Sequence, residues 1–130
     1  MHNHYSGHIA VLEIANRRED PTAVGKPRPG LLLHPVGDSC WQAVGFTSQP
    51  TYKTTGRPRI AVFASERNGL RRHGFLWSPH PVTIPEAAIG KIIGVVDEHV
   101  AEVIAQNVDI DEITTRRLRV IARDPWPRAA

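Results

Sequence analysis

Residues 30–47 read GLLLHPVGDSCWQAVGFT, and this stretch decides the fold class. Three leucines, Leu31–Leu33, run into the turn-forming segment Pro35-Val36-Gly37-Asp38. A second apolar stretch, Trp41–Thr47, then returns. Two short apolar runs around proline, glycine and aspartate read as paired strands. Working outward, residues 8–14 (HIAVLEI) alternate across two faces, as a strand does, and residues 16–28 (NRREDPTAVGKPR) read as a long polar loop. Further short strands are expected at 59–64 (RIAVFA), 74–77, 82–84 and 90–96, with a basic turn at 65–73 centred on Asn68-Gly69.

The period changes at Asp97. Val100, Val103, Ile104 and Val108 fall at helical spacing, with Asp97 as N-cap and Glu98 in the positive first turn. Asp109 or Asp111 is expected to cap a second helix running to about Arg123. Glu112 and Arg116 sit there at i and i+4, and Asp124-Pro125-Trp126-Pro127 ends it. The expectation is one domain over 1–130, mainly β with C-terminal helices: a small, strongly bent barrel over about 6–96, helices over about 97–123 and a tail over 124–130.

Composition narrows the class. With 41% hydrophobic and 22% charged residues in 130, the chain is globular and not a disordered tail. No apolar run approaches the ~18 residues of a membrane span. The start, Met-His-Asn-His-Tyr, lacks a basic stretch followed by an apolar one, so no secretory signal and a cytoplasmic location are expected. One cysteine, Cys40, excludes an internal disulfide and a multi-cysteine zinc site.

Charge is uneven. Residues 1–84 carry ten Lys/Arg against five Asp/Glu, whereas 85–130 carry six against eight. Thirteen of the 16 basic residues are arginine, whose planar fork grips phosphate in two places. The basic part points to a polyanion-facing side.

Five pieces in order resemble the MazF/PemK (Kid) family of toxin endoribonucleases: Gly7-His8-Ile9; residues 25–33 (GKPRPGLLL); residues 44–49 (VGFTSQ); Gly69-Leu70; and residues 82–85 with 89–94 (VTIP, IGKIIG) before the helix. The resemblance covers roughly residues 6–108. It implies an SH3-like barrel, a homodimer with single-stranded RNA across it, an acidic antitoxin protein as inhibitor, and RNA cleavage by 2′-hydroxyl attack without a metal or other cofactor. It matches Arg28 and Thr47 to the family's site arginine and threonine.

Such cleavage needs the phosphate gripped and its developing charge neutralised, which suits an arginine stiffened by Pro27 and Pro29. The family's Arg-x-Asp pair is missing: Trp77 and Pro79 stand at those positions, Val82 replaces a further arginine, and His73-Gly74 replaces Asp-Ser. His80, between two prolines, is the substitute proton carrier, ahead of His34 and His73. His2, His4 and His8 have no carboxylate beside them and make no metal site.

The RNA-facing candidates are Arg17, Arg18 and Lys26 in the first loop, then Ser48 and Gln49. Lys53, Arg57 and Arg59 follow in the second loop, and Arg67, Arg71 and Arg72 in the third. Tyr52 is expected to be exposed, while Trp41, Phe63 and Trp77 read as core. The other reading is a barrel that has lost catalysis and blocks a protein target, as CcdB-like proteins do, or binds nucleic acid as a regulator.

Overall fold

The computed structural model describes residues 5–14 and 25–125. Seven strands form one antiparallel sheet: β1 (His8–Ile14), β2 (Lys26–Val36), β3 (Cys40–Thr47), β4 (Ala61–Val62), β5 (Gly74–Leu76), β6 (Val82–Pro85) and β7 (Ile89–Val95). Two helices follow, α1 (Glu98–Asn107) and α2 (Glu112–Arg123). No helix is long and apolar enough to cross a membrane.

The order β4-β5-β3-β2-β1-β7 is continuous, and β6 pairs with the first half of β3 beside β5. β6 and β7 therefore lie four strand spacings apart, about 19 Å in a flat sheet. Only the 3-10 turn Glu86–Ala88 joins them. That link reaches at most about 15 Å. The sheet has to curl. It curls without a β6–β7 ladder, so the observed architecture is an open, strongly bent sheet.

The leucine run shows the consequence. Leu31, Leu32 and Leu33 are all fully buried, although neighbouring side chains on a strand point to opposite faces. Leu31 and Leu33 join Ile9, Val44, Phe46, Val100, Ile104 and Leu118 under the helices. Leu32 joins Leu12, Trp41, Ala43, Ile84 and Trp77 inside the curl. A strand buried on both faces reads as continuous apolar sequence, not alternation.

Several elements are longer or shorter than their sequence signals. β2 begins at Lys26, so Arg28 lies within a strand, opposite Leu12, and not in the loop before it. β4 keeps two residues of the expected 59–64 run. Phe63, expected in the core, is 53% exposed. The caps are as read: Asp97 accepts from Val100 N at 2.8 Å and Asp111 from Thr114 N at 2.7 Å.

The Asn68-Gly69 turn fastens the outer hairpin to the other elements. Asn68 is fully buried with its amide satisfied. Oδ1 accepts from Ser65 N and Leu70 N, and Nδ2 donates to Phe63 O and to Asp97 Oδ2. Arg67 donates to Val96 O and to the carbonyls of Ile121 and Asp124 at the end of α2, while its own carbonyl accepts from Val95 N at 2.9 Å. Arg67 is thus a structural clamp and not a free RNA-facing charge.

This approach needs glycine on both sides. A Cβ on Gly94 would lie 2.3 Å from Asn68 carbonyl atoms, and one on Gly69 (φ +71°) would lie 1.9 Å from Ile93 O. Gly94→Ala is expected to cost at least the upper part of the ~1–3 kcal/mol typical of overpacking. Gly56→Ala, with a positive φ but open space, should cost only about 1 kcal/mol. Urea unfolding of the two variants checks the contrast.

Candidate functional site

The site lies at the end of the curl where β2 begins and β3 ends. Arg28 and Leu12 are paired across β1–β2, so their side chains share the face that lines the curl. The β2–β3 ladder reaches Gly30 opposite Gly45. The same register carried two residues further sets Arg28 opposite Thr47, on one face. Gly30 and Gly45 leave room behind them: Leu12 packs where a Gly30 Cβ would be, and Trp77 packs against Gly45.

Two guanidinium groups meet around Trp77. Arg28 lies over the Trp77 ring at 5.3 Å. Arg59 is 9% exposed and is held on every side. Its Nε donates to Trp77 O at 3.2 Å, and one terminal nitrogen donates to Gln49 O and Thr51 O at 3.3 and 2.6 Å. Its guanidinium stacks over Tyr52 at 4.5 Å. Arg59, expected to face RNA, is instead a buried post that organises the 49–52 segment.

Arg28 is the opposite case. It is half-buried, its Nε is buried without a hydrogen-bond partner, and among the described residues it makes no hydrogen bond or ion pair. Burial first, and the charge of Arg59 second, lower its pKa from the usual arginine value. A cation held beside another cation with no carboxylate opposite it is destabilised until an anion arrives. Thr47 Oγ1 accepts from Gln49 N at 3.2 Å, which leaves its hydroxyl proton free to donate. The arrangement suits a phosphate oxygen: one fork-shaped cation and one hydroxyl donor on a common face.

The remaining predicted residues divide. Ser48 and Gln49 are exposed immediately after Thr47. Lys53 and Arg57 are exposed on the turn closed by Tyr52 N to Arg57 O and Gly56 N to Tyr52 O. Lys26 is exposed at the start of β2, two residues before Arg28. Arg71 and Arg72 are exposed ahead of β5. Arg17 and Arg18, like His2 and His4, lie outside the described residues.

The histidines do not gather at Arg28. His80 is exposed in the β5–β6 connection, and Asp109 N donates to the neighbouring Pro79 O at 2.9 Å. That bond draws the loop toward the helix-covered face, whereas Arg28 and Thr47 belong to the other. His34 is six residues along β2 from Arg28, roughly 20 Å, beside an open groove of about 270 Å³ that Asp111 and Arg117 also line. His73 Nδ1 accepts from Ala64 N at 2.9 Å.

What sequence reading missed is the pairing of Arg28 with Arg59. Both arginines follow a proline in a polar stretch, and the signal that separates them is the set of distant carbonyls that only one can reach. Compared with protein-family models, curated proteins and solved structures, the chain matches none.

The two arginines should respond oppositely to substitution. Arg59→Met removes the donors that satisfy three carbonyls and should cost about 2–4 kcal/mol. Arg28→Met removes an unpaired, half-buried charge and should leave the thermal midpoint unchanged or raised. Thermal unfolding of both variants in the same buffer tests this.

Proposed function

We propose that the chain acts on single-stranded RNA as a MazF/PemK-like endoribonuclease. The observation that carries this reading is the unpaired Arg28 guanidinium, backed by Arg59 and sharing a face with Thr47. In the reaction, Arg28 and Thr47 hold the non-bridging oxygens of one phosphodiester. The ribose 2′-oxygen forms the new bond to phosphorus and the bond to the 5′-oxygen breaks. The products are a 2′,3′-cyclic phosphate and a 5′-hydroxyl. The 2′-hydroxyl proton is lost as attack proceeds, and the leaving 5′-oxygen gains one. Arg28 supplies charge stabilisation at the pentacoordinate stage, where the phosphoryl oxygens carry the most charge. The family resemblance extends the proposal to a homodimer with an acidic antitoxin partner, in a toxin–antitoxin system.

One specific observation favours a second reading. Among the described residues, no histidine or carboxylate is brought against Arg28 and Thr47. Proton transfer would then fall to solvent or to groups beyond the described residues. With no such group the same face would bind a phosphodiester without cutting it, as a catalytically silent nucleic-acid-binding or target-blocking protein.

Mixed-sequence RNA incubated with the protein in EDTA should yield fragments ending in 2′,3′-cyclic phosphate. Arg28→Ala should slow their formation by at least ~10²-fold, the scale of losing a preorganised oxyanion donor. Thr47→Val should slow it less. RNA left intact at high protein concentration, yet bound in a salt-sensitive way, would select the second reading.

A further inference from the structure

Binding of single-stranded RNA usually combines phosphate contacts with a ring on which a base stacks. Two rings near Arg28 are already used. Trp77 is 5% exposed beneath Arg28, and Tyr52 lies under the Arg59 guanidinium. Phe63 is different: it is an exposed phenylalanine at the end of β4, with more than half its surface in solvent.

Its setting is rigid. The His99 ring stacks on Phe63 with centroids 4.8 Å apart and planes 16° apart, and His73 meets it edge-on at 5.4 Å. Both imidazoles are fixed by the chain beneath them. His99 Nε2 accepts from Phe63 N at 3.1 Å, and His73 Nδ1 accepts from Ala64 N at 2.9 Å. An apolar ring presented to water and held by two oriented rings is preorganised for a flat, apolar partner.

The register connects this ring to Arg28. Thr47 is opposite Phe75 on β5, and Phe75 is opposite Ala61 on β4, so these three side chains share a face. Two residues further along the hairpin, the same alternation places His73 and Phe63 on that face. One surface thus runs from Arg28 on β2 through Thr47 and Phe75 to Phe63, three strand spacings or about 14 Å across. The exposed Arg71 and Arg72 immediately precede His73, where they supply charge for the backbone of a bound strand.

The geometry points to Phe63, held between His73 and His99, as the stacking platform for one base of the single-stranded RNA whose phosphodiester lies at Arg28. This rests on the RNA reading above. It assigns base contact to the hairpin edge and leaves phosphate contact to the β2–β3 end.

The test uses a mixed-sequence 2′-O-methyl oligoribonucleotide, which lacks the attacking hydroxyl, and copies with one abasic position each. Phe63→Ala should weaken binding about 5- to 150-fold, the loss typical of one stacked base. Phe63→Trp should bind like the parent. The slope of log affinity against log salt should fall for Arg28→Ala and stay unchanged for Phe63→Ala. One abasic position should weaken the parent yet cost Phe63→Ala nothing further, the signature of a coupled pair.

Fluorescence of the Phe63→Trp variant should also be quenched on binding, a readout that holds if the alanine variant fails to fold. Unchanged RNA affinity in folded Phe63→Ala, or binding without quenching of the tryptophan, overturns the platform and leaves the phosphate reading standing. A parent protein that binds no RNA at all overturns the RNA reading and the platform with it.

Discussion

A central strand buried on both faces governs this architecture. Leu31 and Leu33 need one cover and Leu32 needs another, and a chain of this size has only two helices to give. The helices cover the first face. The second face is covered by the sheet itself, because the short Glu86–Ala88 link draws β6 and β7 toward one another. Each fully buried leucine side chain contributes about 1.5–3 kcal/mol, so neither face can be left open without losing much of a small domain's stability. The curl is therefore a consequence of burial and chain connectivity acting together.

A curled sheet has ends, and the candidate site occupies one of them. The inner core stops at Leu12, Ile14 and Trp77, and beyond it the residues on the same face must be compatible with both ring and water. Arginine meets that condition, with an apolar stem and a plane that stacks on indole. Arg59 is the version whose donors are all absorbed by backbone carbonyls, and Arg28 is the version left without a counterion. The first fixes the second: a buried cation beneath the 49–52 segment raises the potential where Arg28 sits. Stability and binding are thereby separated between two residues of the same type.

The outer hairpin is held by a different device. Asp97 caps α1 through one carboxylate oxygen and receives Ser65 Oγ and Asn68 Nδ2 on the other, at 2.5 and 3.0 Å. The same Asn68-Gly69 turn touches β7 through facing glycines. Because β4–β5 is short, this turn and not its ladder fixes where Phe63 and His73 stand. The hairpin edge is consequently placed by α1, which also brings His99 to the Phe63 ring.

Local signals survived into the structure wherever the interaction was local. Asp97 and Asp111 cap helices through amides three residues away, and the switch from strand to helical spacing at Asp97 is visible in the sequence. Apolar runs located the strands, since burial on a β-surface demands them. Alternation, however, gives a period and not an absolute face or an edge, so Phe63 read as core although β4 ends before it as an edge strand. Nor did the spacing of prolines around Arg28 and Arg59 say which guanidinium would be enclosed. That was decided by carbonyls brought from Gln49, Thr51 and Trp77, by the Gly30–Gly45 register that aligns Arg28 with Thr47, and by a helix linker that holds the loop carrying His80 toward the other face. Those contacts join residues far apart in the chain, and only the folded backbone fixes their distances.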